Sequence, residues 1–249
     1  MEPYHIDRTA LEHFCTHVFI ALGLSEEEAV DSSEILVSAD ARGIASHGVA
    51  RLWRYENGLR LGIMSGGIQP TILRETPISL VLDANGAMGM SLSRKTMDQV
   101  IEKAKVSGVG FASIRNSNHF GIAGYYSEMA ARSDMIGIAM TNTAALGVPT
   151  FGTTAMFGTN PIAVAIPGHE GKLFSLDMST TGVTRGKIEV YNREGHPLPS
   201  GWAVDPTGAV TSDAARLLDD MLYQRGGGLL PLGGAGEELG GHKGYGLAV

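Results

Sequence analysis

Short apolar runs alternate with segments of helical periodicity over most of the chain, and this alternation favours an α/β fold with helices packed on a sheet. Strands are predicted near residues 78–83, 110–114, 136–140, 162–166 and 173–176, and together they predict one sheet of at least five strands. Such a pattern is usually that of a doubly wound sheet. However, no Gly-x-Gly-x-x-Gly turn joins a strand to a helix here, so any nucleotide site must be built differently.

Three helices are predicted before the first strand, and the first two have recognisable start or stop signals. Residues 7–22 place apolar side chains on one helical stripe, and Gly23 follows as a stop signal. Ser25 and Glu28 have the spacing of a capping box, which predicts a second helix that ends near Gly43.

A third helix is predicted to begin at Ser46. Within it, His47, Arg51 and Tyr55 would follow one another at four-residue steps and share one stripe. This stripe is unusually polar for a helix of a globular domain. We therefore regard it as a candidate site.

The predicted elements divide the chain into a helical domain, residues 1–75, and a mixed-sheet domain, residues 76–249. Residues 244–249 look like the beginning of an apolar helix with no stop signal. We therefore expect a truncated chain.

Charge and cysteine content exclude several classes of protein. The net charge of −7 comes without an acidic block and gives no reason to expect a nucleic acid or a membrane as partner. Cys15 is the only cysteine, so the chain forms no internal disulfide or cysteine metal cluster. The first residues lack the features of a signal peptide. We expect a cytoplasmic protein.

Two histidine-containing segments are candidates for acid–base chemistry. His47 supplies an imidazole, a group that can titrate near neutrality, and Arg51 supplies a guanidinium that can bind a carboxylate with two hydrogen bonds. His119 lies in a polar turn between a predicted strand and a predicted helix, where sites are common. The alternative is structural: either histidine could cap a helix, and Arg51 could be a solvated surface charge.

Further polar residues lie at turns of the sheet domain. Thr143 could hydrogen-bond a ligand, and Asp177 could accept from ribose hydroxyls or cap a helix. His242 and Lys243 stand in a basic, glycine-rich turn that opens a helix, where backbone N–H groups bind phosphate. The alternative for this turn is an ordinary surface loop. No histidines and carboxylates have metal-site spacing, so no metal is expected.

Together these segments resemble the type-2 malate/L-lactate dehydrogenase family, which includes ureidoglycolate and sulfolactate dehydrogenases and diketogulonate reductase. The matching motifs run in family order and cover essentially the whole chain. They are Ser46-His47-Gly48-Val49-Ala50-Arg51, Asn118-His119-Phe120-Gly121, Gly158-Thr159-Asn160-Pro161, Asp177-Met178-Ser179, Gly186-Lys187-Ile188, Leu230-Pro231-Leu232-Gly233-Gly234 and Gly241-His242-Lys243-Gly244.

The resemblance implies a homodimer with a non-Rossmann sheet domain that binds NAD or NADP. It also implies that a missing C-terminal segment completes the helical domain. It also implies transfer of a hydride to or from the α-carbon of a small 2-hydroxy or 2-oxo acid such as malate, lactate or ureidoglycolate. Family contacts to the cofactor correspond to Thr143, Asp177, Met178, Ser179, His242 and Lys243.

The resemblance implies an acid–base role for either His119 or His47, with His119 favoured as proton donor and Arg51 holding the substrate carboxylate. Ser46, Arg51 and Tyr55 are taken as the substrate-binding residues. Two other functions compete with this one: a protein that binds dinucleotide without turnover, and metal-assisted hydrolysis by the histidines. The choice between NAD and NADP depends on pocket shape and stays open.

Overall fold

The computed structural model describes residues 5–249 and confirms a mixed α/β fold. The helices are α1 (Arg8–Ala21), α2 (Glu26–Ala41), α3 (Leu52–Arg60), α4 (Gly89–Ser107), α5 (Ala123–Arg132), α6 (Arg185–Glu194), α7 (Ala214–Leu222) and α8 (Gly241–Ala248). The strands are β1 (Thr71–Glu75), β2 (Ser79–Asp83), β3 (Phe111–Arg115), β4 (Gly137–Met140), β5 (Ile162–Pro167), β6 (Leu173–Met178), β7 (Ala203–Val204) and β8 (Gly228–Leu229). No helix among residues 5–249 is both long and apolar enough to cross a membrane.

The chain forms two compact units, and each of them is made of two separate segments of the sequence. The first comprises Met1–Gly137 with Ala165–Ser175, and the second comprises Ile138–Val164 with Leu176–Val249. The predicted boundary after residue 75 lies inside the first unit, between β1 and β2. The division into a helical and a cofactor-binding domain stays a prediction.

The strands form two three-stranded sheets, ordered β1-β2-β3 and β4-β5-β6, and a two-stranded pair of β7 with β8. The expectation of one sheet of at least five strands is therefore wrong, because periodicity reports strands and not their pairing. In the first sheet, β2 is antiparallel to β1 and parallel to β3. Strand β1 was not predicted, since all five of its residues are exposed and it has no buried face to leave a pattern.

The predicted helix starts are confirmed where the sequence contains a capping signal. Asp7 caps α1, and its side chain accepts from the N–H of Ala10. At α2, Ser25 and Glu28 form the expected capping box. The Glu28 carboxylate also accepts the N–H of Gly67, at 3.0 Å, so it ties the following loop to this helix end.

Glu128 of α5 joins three elements of the first unit. Its buried carboxylate accepts two hydrogen bonds from the guanidinium of Arg42, one from Arg132 at 3.1 Å and one from Ser175 at 2.8 Å. Burial alone would raise the pKa of Glu128, but the hydrogen bonds from Arg42 and Ser175 outweigh it and the pKa is lowered.

Replacing Glu128 with glutamine should lower the free energy of unfolding by about 2–4 kcal/mol at neutral pH, because Arg42 loses its charged partner. A lowered pKa in the folded state stabilises the fold above the unfolded-state pKa and ceases to do so as the pH falls through the folded-state pKa. The loss should therefore shrink in acid. Urea unfolding at several pH values measures it.

The matched control is Glu102→Gln, which removes an exposed ion pair with Lys105 in α4 and should cost under about 0.5 kcal/mol. Equal losses of unfolding free energy in the two variants, or a Glu128→Gln loss that does not depend on pH, would contradict the stabilising role assigned to the Glu128 carboxylate.

Candidate functional site

The first unit brings the two candidate histidines together. The rings of His47 and His119 stack with their centroids 5.7 Å apart and their planes 20° from parallel. Tyr55 of α3 contacts the imidazole of His119, and the Tyr55 hydroxyl lies 2.6 Å from Nδ1 of this ring. The sequence-distant motifs around residues 47 and 119 thus form one cluster.

The helix that carries Tyr55 begins later than predicted. A short 3₁₀ helix, Val49–Arg51, precedes α3, and the predicted start at Ser46 is wrong. His47 consequently lies in a turn, and the expected helical stripe does not run through it. The cluster forms because the turn folds back beside His119.

Asp40, near the end of α2, holds this turn. Its Oδ2 accepts the N–H of Val49 at 2.7 Å. The backbone at Gly48 passes so close that a Cβ there would lie 1.9 Å from Oδ1 of Asp40. Only glycine fits this contact, which explains the glycine directly after His47.

Two more hydrogen bonds fix the side chains of the turn. Ser46 Oγ lies 2.9 Å from Nδ1 of His47, and Nε of Arg51 donates to the backbone oxygen of Ser46 at 2.7 Å. These bonds orient the imidazole and the guanidinium. Arg51 is also close enough to His119 for its charge to affect that ring.

His119 sits in a partly buried, cationic setting. Burial lowers the pKa of His119 to about 3, and the neighbouring His47, Arg54 and Arg51 contribute in the same direction. The imidazole is therefore neutral at physiological pH. Burial likewise raises the pKa of Tyr55, whose hydroxyl stays protonated.

The turn that presents His119 is held by the residues before it. Asn116 has a positive φ of 54° and donates its side-chain N–H groups to both carboxylate oxygens of Asp83. Asn118 donates to the backbone oxygen of Gly86 at 2.9 Å. A Cβ on Gly89 would lie 2.2 Å from the backbone oxygen of Asn118. The asparagines of this motif are thus structural.

Sequence reasoning missed both carboxylates that hold these turns. Asp40 lies in the last turn of α2, where the helix dipole disfavours a negative charge. A carboxylate there signals a partner outside the helix, and this could have identified Asp40. Asp83 ends a buried strand and carries no comparable signal.

The second unit gathers the residues predicted to contact a cofactor. Thr143 accepts the N–H of Thr159 through Oγ1 at 3.0 Å, and its own N–H donates to Asn160 Oδ1. Thr180 donates its N–H to the backbone oxygen of Thr159, and Leu232 donates to that of Thr180, both at 2.9 Å. Hydrogen bonds thus join several of the motif segments.

Helix α8 contacts two of the same segments, one near its start and one at its end. Near its start, Gly244 packs so tightly that a Cβ would lie 2.0 Å from the backbone oxygen of Leu232. At its end, the backbone oxygen of Ala248 accepts from Asn160 Nδ2 at 2.6 Å.

Asp177, Met178 and Ser179 lie where β6 passes into the following turn. The Asp177 side chain is exposed, and Met178 is half-buried. Ser179 Oγ donates to the backbone oxygen of Thr181 at 2.7 Å, which shapes the turn.

His242 and Lys243 occupy the first turn of α8, and both are exposed. They border a cavity of about 420 Å³ whose walls also include Glu237 and Glu238. This volume is within the range of small-molecule sites. The cavity lies at a helix start, where free N–H groups favour an anion.

Solved structures define the class of protein. A malate dehydrogenase from Entamoeba histolytica has a TM-score of 0.95 and 36% sequence identity over 98% of this chain and 68% of its own. A sulfolactate dehydrogenase from Methanocaldococcus jannaschii has a TM-score of 0.84 and 40% identity over 98% and 66%. The fold is that of these dehydrogenases.

The sequence comparisons give the family. A malate dehydrogenase from Pyrococcus abyssi is 47% identical over 98% of this chain and 66% of its own length. Residues 6–249 match the model of the malate/L-lactate dehydrogenase family. The chain belongs to this family, which confirms the resemblance found in its motifs. It spans about two thirds of the length of this relative.

Replacing Gly48 with alanine should lower the free energy of unfolding by about 2–3 kcal/mol, because the added methyl group overlaps Asp40. The control is Gly246→Ala, where no atom lies within 4 Å of the added Cβ and a helix gains up to about 1 kcal/mol. Urea unfolding compares the two. A Gly48→Ala protein as stable as the parent would contradict the steric account.

Proposed function

We propose that the protein is an oxidoreductase that transfers a hydride between NAD(H) or NADP(H) and the α-carbon of a small 2-oxo or 2-hydroxy acid. The observation that carries this proposal is the cluster of His47, His119, Tyr55 and Arg51 in one unit. It combines groups that bind an anion with groups that hydrogen-bond an oxygen at the reacting carbon.

The names of the relatives support this choice of substrate class. They are malate, sulfolactate and ureidoglycolate dehydrogenases and a Δ1-pyrroline-2-carboxylate reductase. Each named substrate carries a carboxylate next to the carbon that changes oxidation state. The ureidoglycolate dehydrogenase of Escherichia coli O157:H7 is named as using NAD⁺, which supports a nicotinamide cofactor.

Arg51 would hold the substrate carboxylate. Its Nε is anchored on the Ser46 backbone, so the guanidinium enters binding with its orientation already fixed. A fixed guanidinium binds a carboxylate at a lower entropic cost than a mobile one. Ser46 and Tyr55 are the other predicted substrate residues and lie in the same cluster.

The two imidazoles would serve the oxygen at the α-carbon. On reduction, the carbonyl carbon gains a hydride and the oxygen gains a proton, and on oxidation both leave. A hydrogen-bond donor near the oxygen stabilises the charge that develops there. The stacked arrangement allows one imidazole to donate to the oxygen while the other exchanges the proton with solvent.

The second unit offers residues that fit a dinucleotide, which supplies or accepts the hydride when bound. Lys243 and the N–H groups at the start of α8 suit phosphate oxygens, and they border an open pocket of about 420 Å³ that can hold part of such a ligand. Asp177 suits ribose hydroxyls, with Met178 and Ser179 beside it. Thr143 and His242 are the other two residues that the resemblance assigns to the cofactor.

The decisive experiment follows nicotinamide absorbance with NADH and with NADPH against pyruvate, oxaloacetate, sulfopyruvate and a cyclic imino acid. Turnover with any of them supports the proposal and decides the cofactor and substrate together. Dinucleotide binding without any turnover would instead identify a non-catalytic binding protein.

The homodimer implied by the resemblance belongs to this proposal, as do the expected cytoplasmic location and a function without nucleic acid or membrane. Light scattering of the purified protein measures the oligomeric state, and a monomer at micromolar concentration would contradict the homodimer.

Replacing Arg51 with lysine should raise KM for the acid at least tenfold, because the lysine ammonium cannot donate the two parallel hydrogen bonds of a guanidinium to one carboxylate. The kcat should fall less, since the group binds the carboxylate in both the ground state and the transition state. Arg60→Lys is the matched control on α3, where the side chain is exposed and pairs with Glu56. An unchanged KM in Arg51→Lys would show that Arg51 does not bind the substrate carboxylate.

Replacing Lys243 with alanine should raise KM for the dinucleotide about tenfold and leave KM for the acid unchanged, since one charge-assisted bond to phosphate is lost. Lys172→Ala, at an exposed position between β5 and β6, is the control. Steady-state kinetics with each substrate varied separately distinguish the effects. A change confined to the acid KM would contradict the assignment.

A further inference from the structure

The hydrogen bonds around Nδ1 of His119 limit the form this imidazole can take. The backbone N–H of Gly121 points at Nδ1 from 3.3 Å. A backbone N–H only donates, so Nδ1 must accept and carries no hydrogen. In the neutral ring, the hydrogen therefore resides on Nε2.

Tyr55 makes the second and shorter contact to the same nitrogen, at 2.6 Å. Because Nδ1 accepts, the Tyr55 hydroxyl is the donor. Tyr55 is fully buried, and its ring packs edge-on against Phe19 with centroids 6.0 Å apart. The core therefore fixes the position of the hydroxyl, and no solvent competes for it.

The glycine that provides the other donor is also required by the structure. Gly121 has a φ of 83°, and a Cβ there would lie 2.7 Å from Cγ2 of Ile35. Another residue would strain the turn and displace the N–H that points at His119. Two independent elements, α3 and the turn before α5, thus converge on one ring nitrogen.

We propose that Tyr55 is a positioning residue which, with the Gly121 amide, holds His119 in the Nε2–H tautomer, so that this imidazole meets a substrate oxygen as a neutral hydrogen-bond donor. In this inference, the identity of the ligand rests on the proposed function. The tautomer of the His119 ring does not depend on that function.

The surroundings of His119 disfavour the imidazolium as well. A second hydrogen, on Nδ1, would face the Gly121 N–H directly and break the bond from Tyr55. The titratable or charged groups near the ring are His47, Arg51, Arg54 and Tyr55, and none of them carries a negative charge at neutral pH. Among residues 5–249, the groups that influence this ring therefore include no carboxylate.

The inference changes the role expected for Tyr55. Its hydroxyl was predicted to bind substrate, but the hydrogen bond to His119 occupies the single hydrogen that it can donate. Tyr55 would then act on the reaction through His119. The neutral His119 would polarise the substrate carbonyl by donating a hydrogen bond to its oxygen. The neighbouring His47 would then be the group that exchanges the proton.

The test is ¹⁵N NMR of the protein labelled at its histidines, with the His119 signals assigned by their loss in His119→Gln. At pH 7, Nδ1 of His119 should show the shift of an unprotonated acceptor and Nε2 that of a protonated nitrogen. In Tyr55→Phe, the ratio of the Nε2–H to the Nδ1–H tautomer should fall roughly fivefold, since one hydrogen bond is lost. Tyr125→Phe removes a hydroxyl that binds Glu34 and should leave the signals unchanged.

A protonated Nδ1 in the parent protein, in either the other tautomer or the imidazolium, would overturn the proposal. So would a Tyr55→Phe spectrum identical to that of the parent. If Tyr55→Phe does not fold, the parent spectrum alone decides. The measurement needs neither substrate nor dinucleotide, so its failure is distinct from an absence of turnover.

Discussion

The candidate site depends on two aspartates that accept partly buried hydrogen bonds from the turns that carry the histidines. Asp40 holds the turn after His47 through the Val49 N–H, and Asp83 holds the turn before His119 through Asn116. The two segments belong to different elements of the first unit, and the carboxylates help to fix the backbone that brings their imidazoles together.

These constraints also explain two glycines beside the site. Glycine stands wherever the backbone approaches a carboxylate or a carbonyl too closely for a side chain, as at Gly48 and Gly89. Burial of the resulting cluster then sets its electrostatics, since a cation is costly at His119 beside Arg51. A neutral donor next to a fixed guanidinium is an arrangement suited to an anion with an adjacent carbonyl.

Much of the fold follows from local signals, and what was missed depended on long-range contacts. Helix α2 was predicted because Ser25 and Glu28 encode its start locally. Strand β1 was missed since its exposed residues leave no periodicity, and the start of α3 was misplaced because the deciding contact comes from Asp40. The histidines, Arg51 and Tyr55 were recognised as candidates from residue type and motif. Their stacking, and the bond from Tyr55 to His119, required the tertiary structure.

The most direct test of the central claim is the destination of the hydride. The protein would be incubated with a 2-oxo acid and NADH or NADPH deuterated at the transferable position of nicotinamide C4, and the product examined by NMR. The account predicts a 2-hydroxy acid with deuterium on its α-carbon. A product without deuterium at that carbon, or no product while the dinucleotide binds, would contradict it.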